Sequence, residues 1–111
     1  MAQYLVQLSY TSVAWAALMK NPQDRSEHVG AVVKKLGGTM HNFWLSFGDH
    51  DVVGLVDMPD AVSAAAFSIA LSGGGACHSV KTTPLMSLAE AQLAMKKAAA
   101  SGYRPTSAKR K

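Results

Sequence analysis

The sequence predicts an α+β domain whose single antiparallel sheet is covered by helices on one face only. Three observations predict it. Apolar and polar residues alternate with period two in four short runs. Two of those runs flank a turn at Gly48-Asp49-His50, which makes a hairpin of Thr39 to Met58. The intervals between the other runs open on capping residues and close on glycines, as helices do.

Gln3 to Tyr10 is the first strand. Tyr4, Val6, Leu8 and Tyr10 point one way, and Leu5, Gln7 and Ser9 the other. Thr11 or Ser12 caps a helix running to about Lys20, and Pro22 interrupts it by removing a donor. Asp24 or Ser26 restarts the helix, which ends at Gly37-Gly38. In the first hairpin strand His41, Phe43, Leu45 and Phe47 share one face, with Met40, Asn42, Trp44 and Ser46 opposite. In the second, Val52, Gly54, Val56 and Met58 oppose Asp51, Val53, Leu55 and Asp57. Pro59-Asp60 ends that strand, and Asp60 caps a helix from Ala61 to about Ser72. Gly73-Gly74-Gly75 breaks it, and Ala76 to Thr82 forms the fourth strand. Ser87-Leu88-Ala89-Glu90 is a capping box opening a last helix to Ser101. Residues 1–102 read as one domain and 103–111 as a tail.

The order is βαββαβ with an extra C-terminal helix, a ferredoxin-like arrangement. Right-handed crossovers place both crossover helices on one face of the four-stranded antiparallel sheet, with the first and third strands central. The more uniformly apolar runs, Tyr4-Val6-Leu8, Phe43-Leu45-Phe47 and Val52-Val56-Met58, belong under the helices. The opposite face then carries Leu5, Met40, Trp44, Val53 and Leu55 among polar residues. Such a patch is too apolar to be left wet, and a second copy of the sheet is its simplest cover. A homodimer or higher homo-oligomer is the expected partner state.

Composition narrows the function classes. With 111 residues the chain can bury a modest core, and its ordinary apolar content and low charge argue against disorder of the body. Ala61 to Leu71, the longest apolar stretch, is too short to span a bilayer. Met1 to Tyr10 has neither a basic start nor a cleavage site, so no signal peptide is expected. A lone Cys77 excludes an intrachain disulfide framework and fits a reducing cytoplasm. The net charge of +4 comes from Arg104, Lys109, Arg110 and Lys111; without them seven basic residues balance seven acidic ones. The basicity is a terminal tail without interleaved aromatics, so neither a specific nucleic acid nor a membrane is an expected partner.

The residues also resemble a known family. Tyr10-Thr11, Lys20-Asn21-Pro22-Gln23-Asp24-Arg25, Lys35-Leu36-Gly37-Gly38, Phe43-Trp44, the stretch Phe47 to Val53, Met58-Pro59-Asp60 and the stretch Val80 to Leu85 look like the GYD-domain family of small bacterial proteins. Its name comes from a Gly-x-Tyr-Asp motif, matched here by Gly48-Asp49-His50-Asp51. The resemblance implies a ferredoxin-like fold of the dimeric α/β barrel type. It supplies no reaction. His50 stands where the motif has Tyr, and Asp57 where Glu is usual.

Two residues are candidate catalysts. Asp57 lies on the face assigned to the dimer interior, where a carboxylate either pairs, with Lys81 for instance, or becomes a poised acid or base. His50 beside Asp51 is a candidate proton shuttle, or simply a turn residue. Ser9, Thr11, Asn42, Trp44 and Lys81 are candidate ligand contacts, and Tyr10, Lys20 and Arg25 can frame an entrance above the first strand. His28, His41, His50 and His78 are scattered over different elements, so no metal is expected. The Gly73-Gly74-Gly75 run precedes a strand and is no phosphate loop; no cofactor is expected. Cys77 and His78 point apart as strand neighbours. Two readings follow. One is a small-molecule binding protein or cofactor-independent enzyme with a cavity near Asp57. The other is a non-catalytic oligomeric or regulatory interaction module.

Overall fold

The computed structural model describes residues 1–105. The elements are β1 (Ala2–Tyr10), α1 (Ser12–Lys20), α2 (Ser26–Lys35), β2 (Thr39–Leu45), β3 (Val52–Met58), α3 (Ala61–Gly73), β4 (Cys77–Leu85) and α4 (Leu88–Ala99). The four strands form one antiparallel sheet in the order β2-β3-β1-β4. This is the ferredoxin-like α+β arrangement, with β1 and β3 central. The basic tail expected over 103–111 falls outside the described residues from 106 onward.

One face of the sheet carries the core. Tyr4, Val6 and Leu8 of β1 and Val56 and Met58 of β3 are buried against Val33 of α2 and Ala64 and Phe67 of α3. Phe67 is fully buried, a burial that contributes about 2–3 kcal/mol. Between α3 and β4, the Ser68 and Thr82 hydroxyls hydrogen-bond to each other.

Local chemistry sets the helix ends. The Thr11 hydroxyl accepts the Ala14 N–H at 3.1 Å and starts α1. The Asp60 carboxylate accepts the Ser63 N–H at 2.7 Å and starts α3. Helix α2 stops in a Schellman turn: Gly37, at φ +90°, donates to Lys34 O, and Gly38 donates to Val33 O. Gly38 sits against the Asp57 carbonyl and the Met58 sulfur, where a Cβ has no room. That close approach seats the end of α2 on β3.

Three expectations need correction, all at strand margins. First, the β2–β3 register shifts between Met40 and Asn42, so His41 is an extra residue in a bulge. Upstream of the bulge the faces exchange. Met40 therefore joins the core side, opposite Val56 and under Gly30 of α2, and is not part of the open patch. His41, expected under the helices, instead reaches Asp57 on the open face. Second, β2 ends at Leu45, so Phe47, also expected to be covered, is 95% exposed in the turn. Third, β4 continues past Thr82 through Pro84 to Leu85. It is an edge strand, where a residue without an N–H leaves no ladder bond unmade.

Candidate functional site

An open groove of about 430 Å³ lies on the helical side of the sheet, where α1 and the start of α2 stand over β2 and the end of β1. Its walls are mainly apolar: Trp15, Leu18 and Met19 from α1, Val29 from α2, and Phe43, Leu45 and Val52 from the hairpin. Tyr10, Gln23, Asp24, Arg25 and Ser26 supply its polar groups. The volume falls within the range that holds small organic ligands.

Asp51 anchors this end of the molecule. Its Oδ2 accepts the Tyr10 backbone N–H at 2.8 Å and the Trp15 indole N–H at 3.3 Å. Its own N–H donates to Leu8 O, and its carbonyl accepts the Ser46 N–H, each at 2.8 Å. One residue thus ties the hairpin to β1 and to α1. The Tyr10 and Trp15 rings meet edge to face, centroids 5.3 Å apart. Burial raises the Tyr10 phenol above its ordinary 10.0, helped by Cys77 and Asp51 and opposed by Arg25. Burial, with Asp51 second, raises the Cys77 thiol as well. Both groups therefore stay protonated near neutral pH. Asp24 is held below the usual carboxylate range because its Oδ1 accepts the Ser26 N–H at 2.8 Å. No carboxylate among the described residues lies within ion-pair distance of Arg25.

The sequence-predicted site residues are dispersed. Asp57 is on the open face, its carboxylate 2.8 Å from His41 Nε2, and it lines neither this groove nor the shallower hollow between α2 and β2. This groove lies on the other side of the sheet from Asp57, walled by α1 and α2 together with residues of β1, β2 and β3. Asp57 pairs with Gln3 and Lys81 with Gln7, so the two sit four residues apart along opposite sides of β1, about 13 Å in strand rise alone. No ion pair joins them. His50 is half-buried in the turn, its Nδ1 3.5 Å from the Gln7 amide and its carbonyl accepting the Ser46 hydroxyl at 2.6 Å. The Thr11 hydroxyl is engaged as the α1 cap. Ser9 is buried opposite Ser79. Asn42 and Trp44 stand on the open face opposite Leu55 and Val53, and Trp44 also borders the groove. Of the entrance residues, Tyr10 and Arg25 do line the groove.

Sequence reasoning missed Trp15 and the part played by Asp51. Trp15 lies one turn after the Thr11 cap, so a reading of the α1 face against the end of β1 could have found it. Asp51 was visible only as a neighbour of His50. Among the described residues no group of three His, Cys, Asp or Glu is placed to hold a metal ion, and no helix is long and apolar enough to cross a membrane.

These elements define a ferredoxin-like α+β protein with a helix-walled groove anchored by the aspartate of the hairpin turn. The chain belongs to the GYD-domain family, whose profile matches residues 4–95. No curated protein matches it in sequence.

Proposed function

We propose that this GYD-domain protein is a homodimeric binding protein for small, largely apolar organic acids. The observation that carries this reading is the groove of about 430 Å³ with Arg25 at its rim. Trp15, Phe43 and Val29 offer a planar, apolar bed. Arg25 offers a fixed positive charge in a fork that suits a carboxylate, and the Tyr10 phenol offers a donor. The first turn of α2 adds its positive dipole end at the same rim.

The chemistry favours binding over turnover. Asp24, the carboxylate that lines the groove, already accepts the Ser26 N–H, and Asp51 behind the Tyr10–Trp15 wall is held by two N–H groups. The Tyr10 phenol and Cys77 thiol are pushed toward their neutral forms. No activated nucleophile–base pair lines the groove among the described residues. Dimerisation is assigned to the open sheet face, where Leu5, Val53, Leu55, Trp44 (52% exposed) and Leu85 (38% exposed) lie together. Covering an apolar patch of this kind stabilises a pair by several kcal/mol, at ~25 cal/mol per Å².

The test is a thermal-shift and calorimetric panel of aromatic and branched-chain carboxylates beside their neutral amides. The expected result is binding of at least one acid, with affinity lowered at least tenfold in Arg25→Gln and no such loss for its amide. Equal binding of acid and amide, or no binding by any member, overturns the ligand class.

A further inference from the structure

Helix α4 is built to be a helix, yet among the described residues no other helix or strand packs closely against it. Ser87 and Glu90 form a complete capping box, with reciprocal N–H bonds of 3.1 Å. Lys96 and Lys97 sit in its last turn, where cations oppose the dipole. Every residue of α4 except Ala91 is exposed, Leu88 at 85%, Met95 at 67% and Leu93 at 60%. Leu88, Ala91, Met95 and Ala98 nonetheless form a continuous apolar stripe at helical spacing. The molecule is correspondingly long, 63 × 32 × 22 Å. Twelve helical residues standing alone in water are marginal even with good caps, so this helix needs a surface to lie on.

We infer that α4 is an exchanged arm that packs its Leu88–Ala91–Met95–Ala98 stripe on a second copy of this chain. The inference rests on the dimer reading above and adds to it. Two observations select a second copy over another partner. The first is continuity. Leu85 is the last open-face residue of β4, across from Gln3, and α4 begins three residues later. Whatever covers the open face therefore meets the start of α4. The second is area. Four strands of seven to nine residues present a face of only about 500 Å² at usual strand spacing and rise. A stable interface buries about 800 Å² on each partner. A helix of this length offers about 200 Å² on one side. One arm given and one arm received bring the sheet face up to that requirement, and a two-fold axis satisfies both arms at once.

The test uses the full chain. Unlabelled and ¹⁵N-labelled protein are mixed, allowed to exchange subunits by dilution and reconcentration, and treated with a short amine-reactive cross-linker. Links from Lys96 or Lys97 to Lys20, Lys34, Lys35 or Lys81 are then read by mass. The expected result is light–heavy pairs at the abundance that random exchange allows. The full-length Leu88→Asp, Met95→Asp double variant should remain folded and dissociate at least tenfold more readily in sedimentation. A dimer whose arm-to-body links are all light–light or heavy–heavy overturns the arm and leaves the sheet interface standing. A chain that is monomeric at all concentrations overturns both.

Discussion

The Asp51 carboxylate accepts the backbone N–H of Tyr10 at 2.8 Å. This contact gives the turn motif a structural role, because it fixes the point where β1 hands over to α1. The same oxygen holds the Trp15 indole, so the groove wall and the strand end share one anchor. Asp51→Ala should therefore strand a part-buried amide and free the tryptophan. The expected cost is about 2 kcal/mol, or about 10 °C in melting temperature. Asp51→Asn, which keeps an acceptor, should lose less. Thermal melts with tryptophan fluorescence separate the two effects. An Asp51→Ala variant that melts with the wild type removes the anchor.

A second relationship governs the hairpin. Phe43 lies across from Gly54, its ring over the bare Cα, and a Cβ added at Gly54 meets that ring and the Asn42 carbonyl. The glycine is required by packing and not by dihedral angle, since its φ is not positive. Gly54→Ala should destabilise the fold by about 2 kcal/mol through overpacking. In a Phe43→Ala background the same change should cost less than half as much, since the ring is gone. Urea titrations of the four proteins close this cycle. Equal costs in both backgrounds remove the ring as the cause.

Stability should fall on the alkaline side. The fold favours the neutral forms of Cys77 and Tyr10, so the unfolded chain releases these protons first. Their contribution is whole below the thiol's ordinary 9.0 and is lost progressively as the pH rises through that value and the phenol's ordinary 10.0. Asp24 and Asp60 act in the opposite sense. The Ser26 and Ser63 N–H groups hold their carboxyls below the ordinary 3.8, so their contribution is present above that value and fades as the pH falls through it. Urea midpoints across this range should trace a plateau with both flanks falling. The Cys77→Ala, Tyr10→Phe double variant should flatten the alkaline flank. An unchanged flank in that variant assigns it to other groups.

The fold was legible because its signals are local and repeated: alternation in the strands, caps at Thr11, Asp60 and Ser87, and glycine stops at Gly37 and Gly74. The site was less legible because it depends on one residue of register and on tertiary approach. Strict alternation put Met40 on the open face and His41 under the helices, and the bulge between Met40 and Asn42 reverses both. A bulge leaves no reliable trace in a short polar-apolar run. Trp15 and Asp51 are 36 residues apart and meet only because β1, before Trp15, pairs with β3, after Asp51. Nothing in their immediate neighbours announces that meeting.

The bulge also yields the sharpest separation between the two faces of the sheet. It turns His41 toward Asp57, where their side chains pair at 43% and 27% exposure. A hydrogen bond this wet contributes about 1 kcal/mol at most. Asp57→Asn should thus lower the melting temperature by only a few degrees. Because the carboxylate lies on the far side of the sheet from Arg25 and Trp15, the same change should leave groove binding within twofold of wild type. His41→Gln should behave alike, and the double variant should show coupling no larger than the pair itself. Arg25→Gln should do the reverse, leaving the melt of the free protein in place and weakening the acid ligand. Calorimetry of the four proteins with one bound acid decides the matter. Loss of binding in Asp57→Asn, with Arg25→Gln unaffected, moves the ligand to the open face and the function with it.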